Sequence, residues 1–80
     1  MSRKEAFKVL LTKHGYSSVN KFCIENKLNQ SNFNNRIKNE SIQVELPILF
    51  SIANMLHEPI EVIIEVFYPN EFKENRKNIE

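Results

Sequence analysis

The 80-residue sequence contains no aspartate and no tryptophan, and it has one glycine and one cysteine. Each scarcity removes a class of function. A single glycine leaves no material for a glycine-rich phosphate loop. A lone Cys23 cannot close an intramolecular disulfide, and between Phe22 and Ile24 it reads as a small buried residue rather than a reactive thiol. Acid–base catalysis needs carboxylates or histidines brought together, yet aspartate is absent, and His14 and His57 are far apart, each ending a predicted helix. A zinc site built from Cys23, His14 and His57 would lack a fourth ligand. The expectation is a chain that is no enzyme, with no metal, cofactor or small-molecule substrate. No run approaches the ~18 apolar residues of a membrane span, and no apolar signal-peptide core opens the chain, so the expected setting is cytoplasmic and away from membranes.

What is present points to one small helical domain. A chain of this size buries about 60–65% of its unfolded surface, which makes a large active site implausible. With 41% hydrophobic and 26% charged residues, it falls in the globular range. The net charge of +1 hides a division, because residues 1–39 hold eight of the eleven Lys and Arg against Glu5 and Glu25 alone, a balance of +6. Residues 40–80 hold eight Glu against Lys73, Arg76 and Lys77, a balance of −5. Such asymmetry suggests a basic surface turned toward a polyanion and an acidic one turned away.

Five helices can be placed by periodicity. Ser2 and Glu5 have capping-box spacing, followed by Phe7, Leu10, Leu11 and His14 at i, i+3, i+4 and i+7, and Gly15 ends the helix in a left-handed position. Ser18 is a plausible cap for a second, short helix with Val19, Phe22, Cys23 and Asn26 inward, stopping near Asn26. A turn over 27–29 leads to a third helix, and residues 39–45 read as a loop. The fourth helix runs from about Val44 or Glu45 to Leu56. Leu46, Leu49, Ala53 and Leu56 lie on one face, and Pro47 falls in the first turn, where no amide donor is lost. The last follows Glu58, with Pro59 at its first position and Ile60, Ile63, Ile64 and Phe67 inward; its β-branched content leaves a strand as the alternative. Pro69 ends it, and a frayed polar tail is expected beyond.

The third helix is the most distinctive segment. Asn29 caps it, and Phe33 and Ile37 share the inward face. At about 100° per residue, Ser31, Asn35 and Lys38 fall opposite, with Asn32 and Asn34 on the flanks. That face offers amide, hydroxyl and ammonium groups and no acid. Paired donors and acceptors on Gln and Asn match the edge of adenine in the major groove, while Lys and Arg suit phosphate or guanine. The same face also fits a solvated surface of an Asn-rich chain, since eleven of the 80 residues are Asn and a solvated polar face needs no partner.

The order of elements, with helices two and three forming a helix-turn-helix, resembles the Cro and phage-repressor family, also called the xenobiotic-response-element family of regulators. The resemblance covers residues 3 to about 67. It rests on the Gly15 turn, on Phe22-Cys23 in the place of a usual Leu-Ala, on the run from Gln30 to Ile37, and on Ile52-Ala53 with Leu56. Asn26 departs from the pattern where a core aliphatic is usual, and Lys27 where the turn often has glycine. The resemblance implies an all-α, five-helix, lambda-repressor-like DNA-binding domain over 1–67 with a polar tail over 68–80. It further implies a repressor-like transcription regulator in a bacterial or phage setting, whose third helix enters the major groove of double-stranded DNA. Carried over position by position, the base readers are Gln30, Ser31 and Asn35, with Asn34 as an addition. The backbone contacts are Ser17, Ser18, Lys21, Lys27, Asn32, Arg36 and Lys38, Asn32 serving either role.

Two further expectations concern partners. If residues 59–72 are helical, Val62, Val66, Tyr68 and Phe72 lack cover in a monomer and would form a homodimer interface. The rival function is a protein-interaction module, an antitoxin or phage adaptor, built on the same fold without DNA binding, since function belongs to the site and not the fold.

Overall fold

The computed structural model describes residues 2–73, and their regular structure is entirely helical: α1 (Arg3–Lys13), α2 (Val19–Glu25), α3 (Gln30–Lys38), α4 (Leu46–Leu56) and α5 (Ile60–Phe67). The strand alternative for 60–67 is overturned. Ile63 and Phe67, four residues apart, are both buried, so one helical stripe satisfies the segment despite its β-branched residues. Pro59 caps this helix from outside rather than occupying its first turn. Past Tyr68 the chain is helical again over 69–73, where the sequence suggests a tail, and the rest of the predicted tail lies outside the described residues.

The chain divides into two units, Met1–Gln43 and Val44–Glu80, so the boundary falls between α3 and α4, whereas the sequence reading separates only the segment after 67. The charge division nearly coincides with it. Unit one has eight Lys and Arg against Glu5, Glu25 and Glu40, whereas unit two has seven Glu against three basic residues.

Unit one is held by one phenylalanine from each of its three helices. Phe7 of α1 meets Phe22 of α2 edge-on, with ring centroids 5.7 Å apart and an interplanar angle of 82°. Phe33 of α3 lies 5.6 Å from Phe7 and 5.7 Å from Phe22. Tyr16, in the α1–α2 connection, stands edge-on to Phe22 at 5.2 Å. Offset and edge-to-face rings add about 0.5–1.5 kcal/mol per pair beyond the area they bury. The triangle therefore fixes the mutual packing of three short helices that would be marginal alone.

The helices begin and end by local hydrogen bonding. Ser2, Ser18 and Asn29 each accept from a first-turn amide, those of Glu5, Lys21 and Asn32. Three C-termini close alike. Tyr16 N–H donates to Leu11 C=O and Gly15 N–H to Thr12 C=O; Leu28 donates to Cys23 and Lys27 to Ile24; Glu58 donates to Ala53 and His57 to Asn54. Each closure puts its penultimate residue in the left-handed region, with φ of 84° at Gly15, 57° at Lys27 and 54° at His57. Only the first seat holds the residue that takes this conformation without strain.

In unit two, α4 and α5 pack through Leu49, Ile52, Ala53 and Leu56 against Ile63 and Phe67, all buried. Leu46, expected on the inward face, is instead 56% exposed. It is the first residue of α4, and its side chain leans toward the helix N-terminus and away from the packed turns.

Candidate nucleic-acid interface

α3 presents two chemically distinct faces. Phe33 and Ile37 are buried, while Gln30, Ser31, Asn32, Asn35 and Lys38 are exposed and Asn34 and Arg36 half-buried, as the rotation angles require. The first turn carries no acid, and the last carries Arg36 and Lys38, where cations suit the helix dipole. The exposed face is thus a row of neutral hydrogen-bonding groups ending in positive charge.

The proposed base readers are not equivalent. Gln30, Ser31 and Asn35 make no side-chain hydrogen bond among the described residues, but Asn34 Nδ2 donates to Asn20 Oδ1 of α2 at 2.8 Å. Asn34 therefore ties α3 to α2, and half of its amide is engaged within the protein. Among the backbone candidates, Ser17, Ser18, Lys21, Lys27, Asn32 and Lys38 are exposed. Ser18 Oγ already accepts from Lys21 N–H at 3.1 Å, which leaves its hydroxyl hydrogen to donate. Lys27 sits at the left-handed seat between α2 and α3, so a strained position carries a cation.

Arg3, which counts toward the basic half in a sequence reading, does not contribute to an exposed surface. It is 3% exposed, and its Nη1 donates to the carbonyls of Arg36 at 2.8 Å, Ile42 at 3.1 Å and Asn39 at 3.4 Å. Nη2 reaches the Glu40 carbonyl at 3.5 Å. The guanidinium thus gathers the C-terminal carbonyls of α3 and the loop after it, groups that no helix can satisfy internally. Its signal in the sequence was position, since Arg3 lies four residues before Phe7 on the inner stripe of α1.

Lys4 and Lys8 also escaped the sequence reading. With Lys38, Ser18, Asn20 and Asn34 they line a cleft of about 220 Å³ among the three helices of unit one. Buried Cys23 lies away from this surface, and burial pushes its thiol pKa up, which keeps it protonated and inert at neutral pH.

The expected dimer residues are partly covered. Val62, Val66, Tyr68 and Phe72 are all half-buried. Tyr68 Oη accepts from Val44 N–H at 2.6 Å and faces the Val44 carbonyl at 3.3 Å, so its polar end serves unit two itself. The more exposed apolar pair there is Leu46 with Phe50, one turn apart on α4 and 56% and 50% exposed.

Among the described residues, no three His, Cys, Asp or Glu side chains are grouped to hold a metal ion, and no helix is long and apolar enough to cross a membrane. Comparison with protein-family models gives no match, and comparisons with curated proteins and with solved structures find no similar protein.

Proposed function

We propose that the chain is a sequence-specific DNA-binding regulator that lays α3 in the major groove, in the manner of the Cro and phage-repressor proteins it resembles. The observation that carries this reading is the exposed face of α3, where Gln30, Ser31 and Asn35 have no side-chain partner among the described residues and no acid intervenes. Bidentate amides read adenine, and Lys38, Arg36, Lys27 and Lys21 hold the phosphates on either side. The basic excess of unit one, +4 once the buried Arg3 is left out, supplies the attraction. A cytoplasmic regulator working as a repressor fits this reading.

A mobility shift with fragmented genomic DNA tests it. Roughly four to six phosphate contacts predict a loss of a hundredfold or more in affinity between 50 and 200 mM salt. No binding to any fragment at low salt, or affinity indifferent to salt, sinks the proposal.

A homodimer belongs to the same reading, because two recognition helices about 34 Å apart would match a palindromic operator. Val62, Val66 and Phe72 of unit two are its proposed contacts, with Tyr68 adding its ring. Sedimentation at micromolar concentration checks this: a 9.5 kDa species unaltered by Val66→Glu excludes the dimer.

The alternative, a protein-interaction module without DNA binding, is favoured by one observation, the exposed Leu46–Phe50 pair on an acidic unit. Under that reading Phe50→Ala abolishes partner binding, while charge changes on α3 leave it intact.

A further inference from the structure

We infer that the cleft among α1, α2 and α3 is a seat for one phosphoryl group, held by the ammonium groups of Lys4, Lys8 and Lys38. On duplex DNA it takes a backbone phosphate. That source rests on the DNA reading above, but the anion chemistry of the cleft stands apart from it.

Lys4 and Lys8 are one turn apart on the same flank of α1, and Lys38 closes α3, so three lysines from two helices line one cavity. Among the described residues no carboxylate lines it. Like charges gathered without a counter-charge repel, and an anion between them relieves that repulsion.

Two uncharged side chains of the cleft, Ser18 and Asn20, also retain donors. Asn20 Oδ1 is already occupied by Asn34 Nδ2 at 2.8 Å, and Ser18 Oγ by Lys21 N–H at 3.1 Å. Asn20 keeps its amide NH₂ and Ser18 its hydroxyl hydrogen to donate, while Asn34 keeps Oδ1 as an acceptor. With three lysines, no lining carboxylate among the described residues, and donors remaining on Ser18 and Asn20, the cleft favours an anion rich in acceptors, and phosphate contacts are made by these side-chain types. Size narrows the choice further. At about 220 Å³ the cleft is smaller than the ~300–1,000 Å³ of sites for drug-sized ligands, and a phosphoryl group fits within it.

The sharing of one phosphate by three lysines has a quantitative signature. Removing an independent phosphate contact flattens the log–log salt dependence by about one unit, so two independent contacts would cost about two. Lys4→Gln/Lys8→Gln together should lower the slope by only about one, with affinity for random-sequence duplex reduced several-fold at 100 mM salt. Lys73→Gln, an equal charge change in unit two, should leave the slope unchanged. Both lysines are exposed, so thermal unfolding of the double variant should match the unsubstituted chain.

Binding of duplex DNA is measured by fluorescence anisotropy for the three proteins, alongside a titration of the ¹⁵N-labelled chain with inorganic phosphate at constant ionic strength. Saturable amide shifts at Ser18, Asn20 and Lys38 that vanish in the double variant support the cleft as a phosphoryl site. If duplex binds but the double variant keeps both slope and affinity, the inference is overturned. If no duplex binds the unsubstituted chain, the DNA reading fails and the titration decides: shifts as described uphold the seat for free phosphate, and shifts no larger than those with chloride overturn it.

Discussion

Arg3 Nη1 donates to the carbonyl of Arg36 at 2.8 Å across 33 residues of sequence, so the first turn of α1 closes the last turn of α3. One cation is thereby withdrawn from the surface to stabilise the helix that presents the others. Arg3→Ala leaves the carbonyls of Arg36, Asn39 and Ile42 without this donor and should cost about 2–4 kcal/mol in chemical denaturation. Arg3→Lys keeps the charge but loses the fork and should recover only part of it. Hydrogen exchange should quicken first at the C-terminal end of α3. A loss under about 0.5 kcal/mol would contradict a clamp.

Lys27 should separate stability from affinity. Its left-handed conformation costs about 1 kcal/mol for an L side chain, of which glycine recovers part after its own entropic cost. Lys27→Gly should gain about 0.5 kcal/mol, or roughly 2–4 °C in Tm. The same change should flatten the salt dependence of DNA binding by about one unit if the ammonium meets a phosphate. Both effects falling in the same direction would refute one assignment or the other.

Asn34 and Asn35, adjacent in sequence, should behave differently. Asn35→Ala should relax preference at a particular base pair by about 1–3 kcal/mol, because an unengaged amide is lost. Asn34→Ala should instead weaken all sequences alike, since it releases Asn20. Competition binding with single-base-pair operator variants distinguishes them, and equal selectivity profiles would show that Asn34 is a reader too.

Tyr68→Phe tests unit two. It strands the N–H and C=O of buried Val44 and should cost about 1–3 kcal/mol. Urea denaturation measures it, and a neutral result would mean that water replaces the hydroxyl.

Cys23 should resist alkylation at neutral pH until the chain unfolds. Its folded pKa is raised by burial, so above about pH 8.5 the unfolded chain loses the thiol proton while the folded one keeps it. The stabilisation is complete below that pH and is lost as pH rises toward the folded pKa. Cys23→Ala should remove this part of the alkaline decline. Modification of the native protein at the rate of a free thiol would contradict its burial.

The four-residue spacing of Phe33 and Ile37, the Ser2, Ser18 and Asn29 caps and the Gly15 turn are local features, and the sequence by itself determined them because 3.6-residue periodicity and first-turn hydrogen bonds need no distant partner. The polar face of α3 was legible for the same reason, its composition following from the rotation per residue. Tertiary structure alone decided three matters. Arg3 is internal because carbonyls some 33 to 39 residues away meet its guanidinium. Asn34 is engaged because Asn20 lies opposite it on another helix. Lys4, Lys8 and Lys38 share a cleft because the phenylalanine triangle sets three helices side by side. Periodicity assigns a residue to a face, but only packing places a partner opposite that face, and a polar side chain's role depends on the partner.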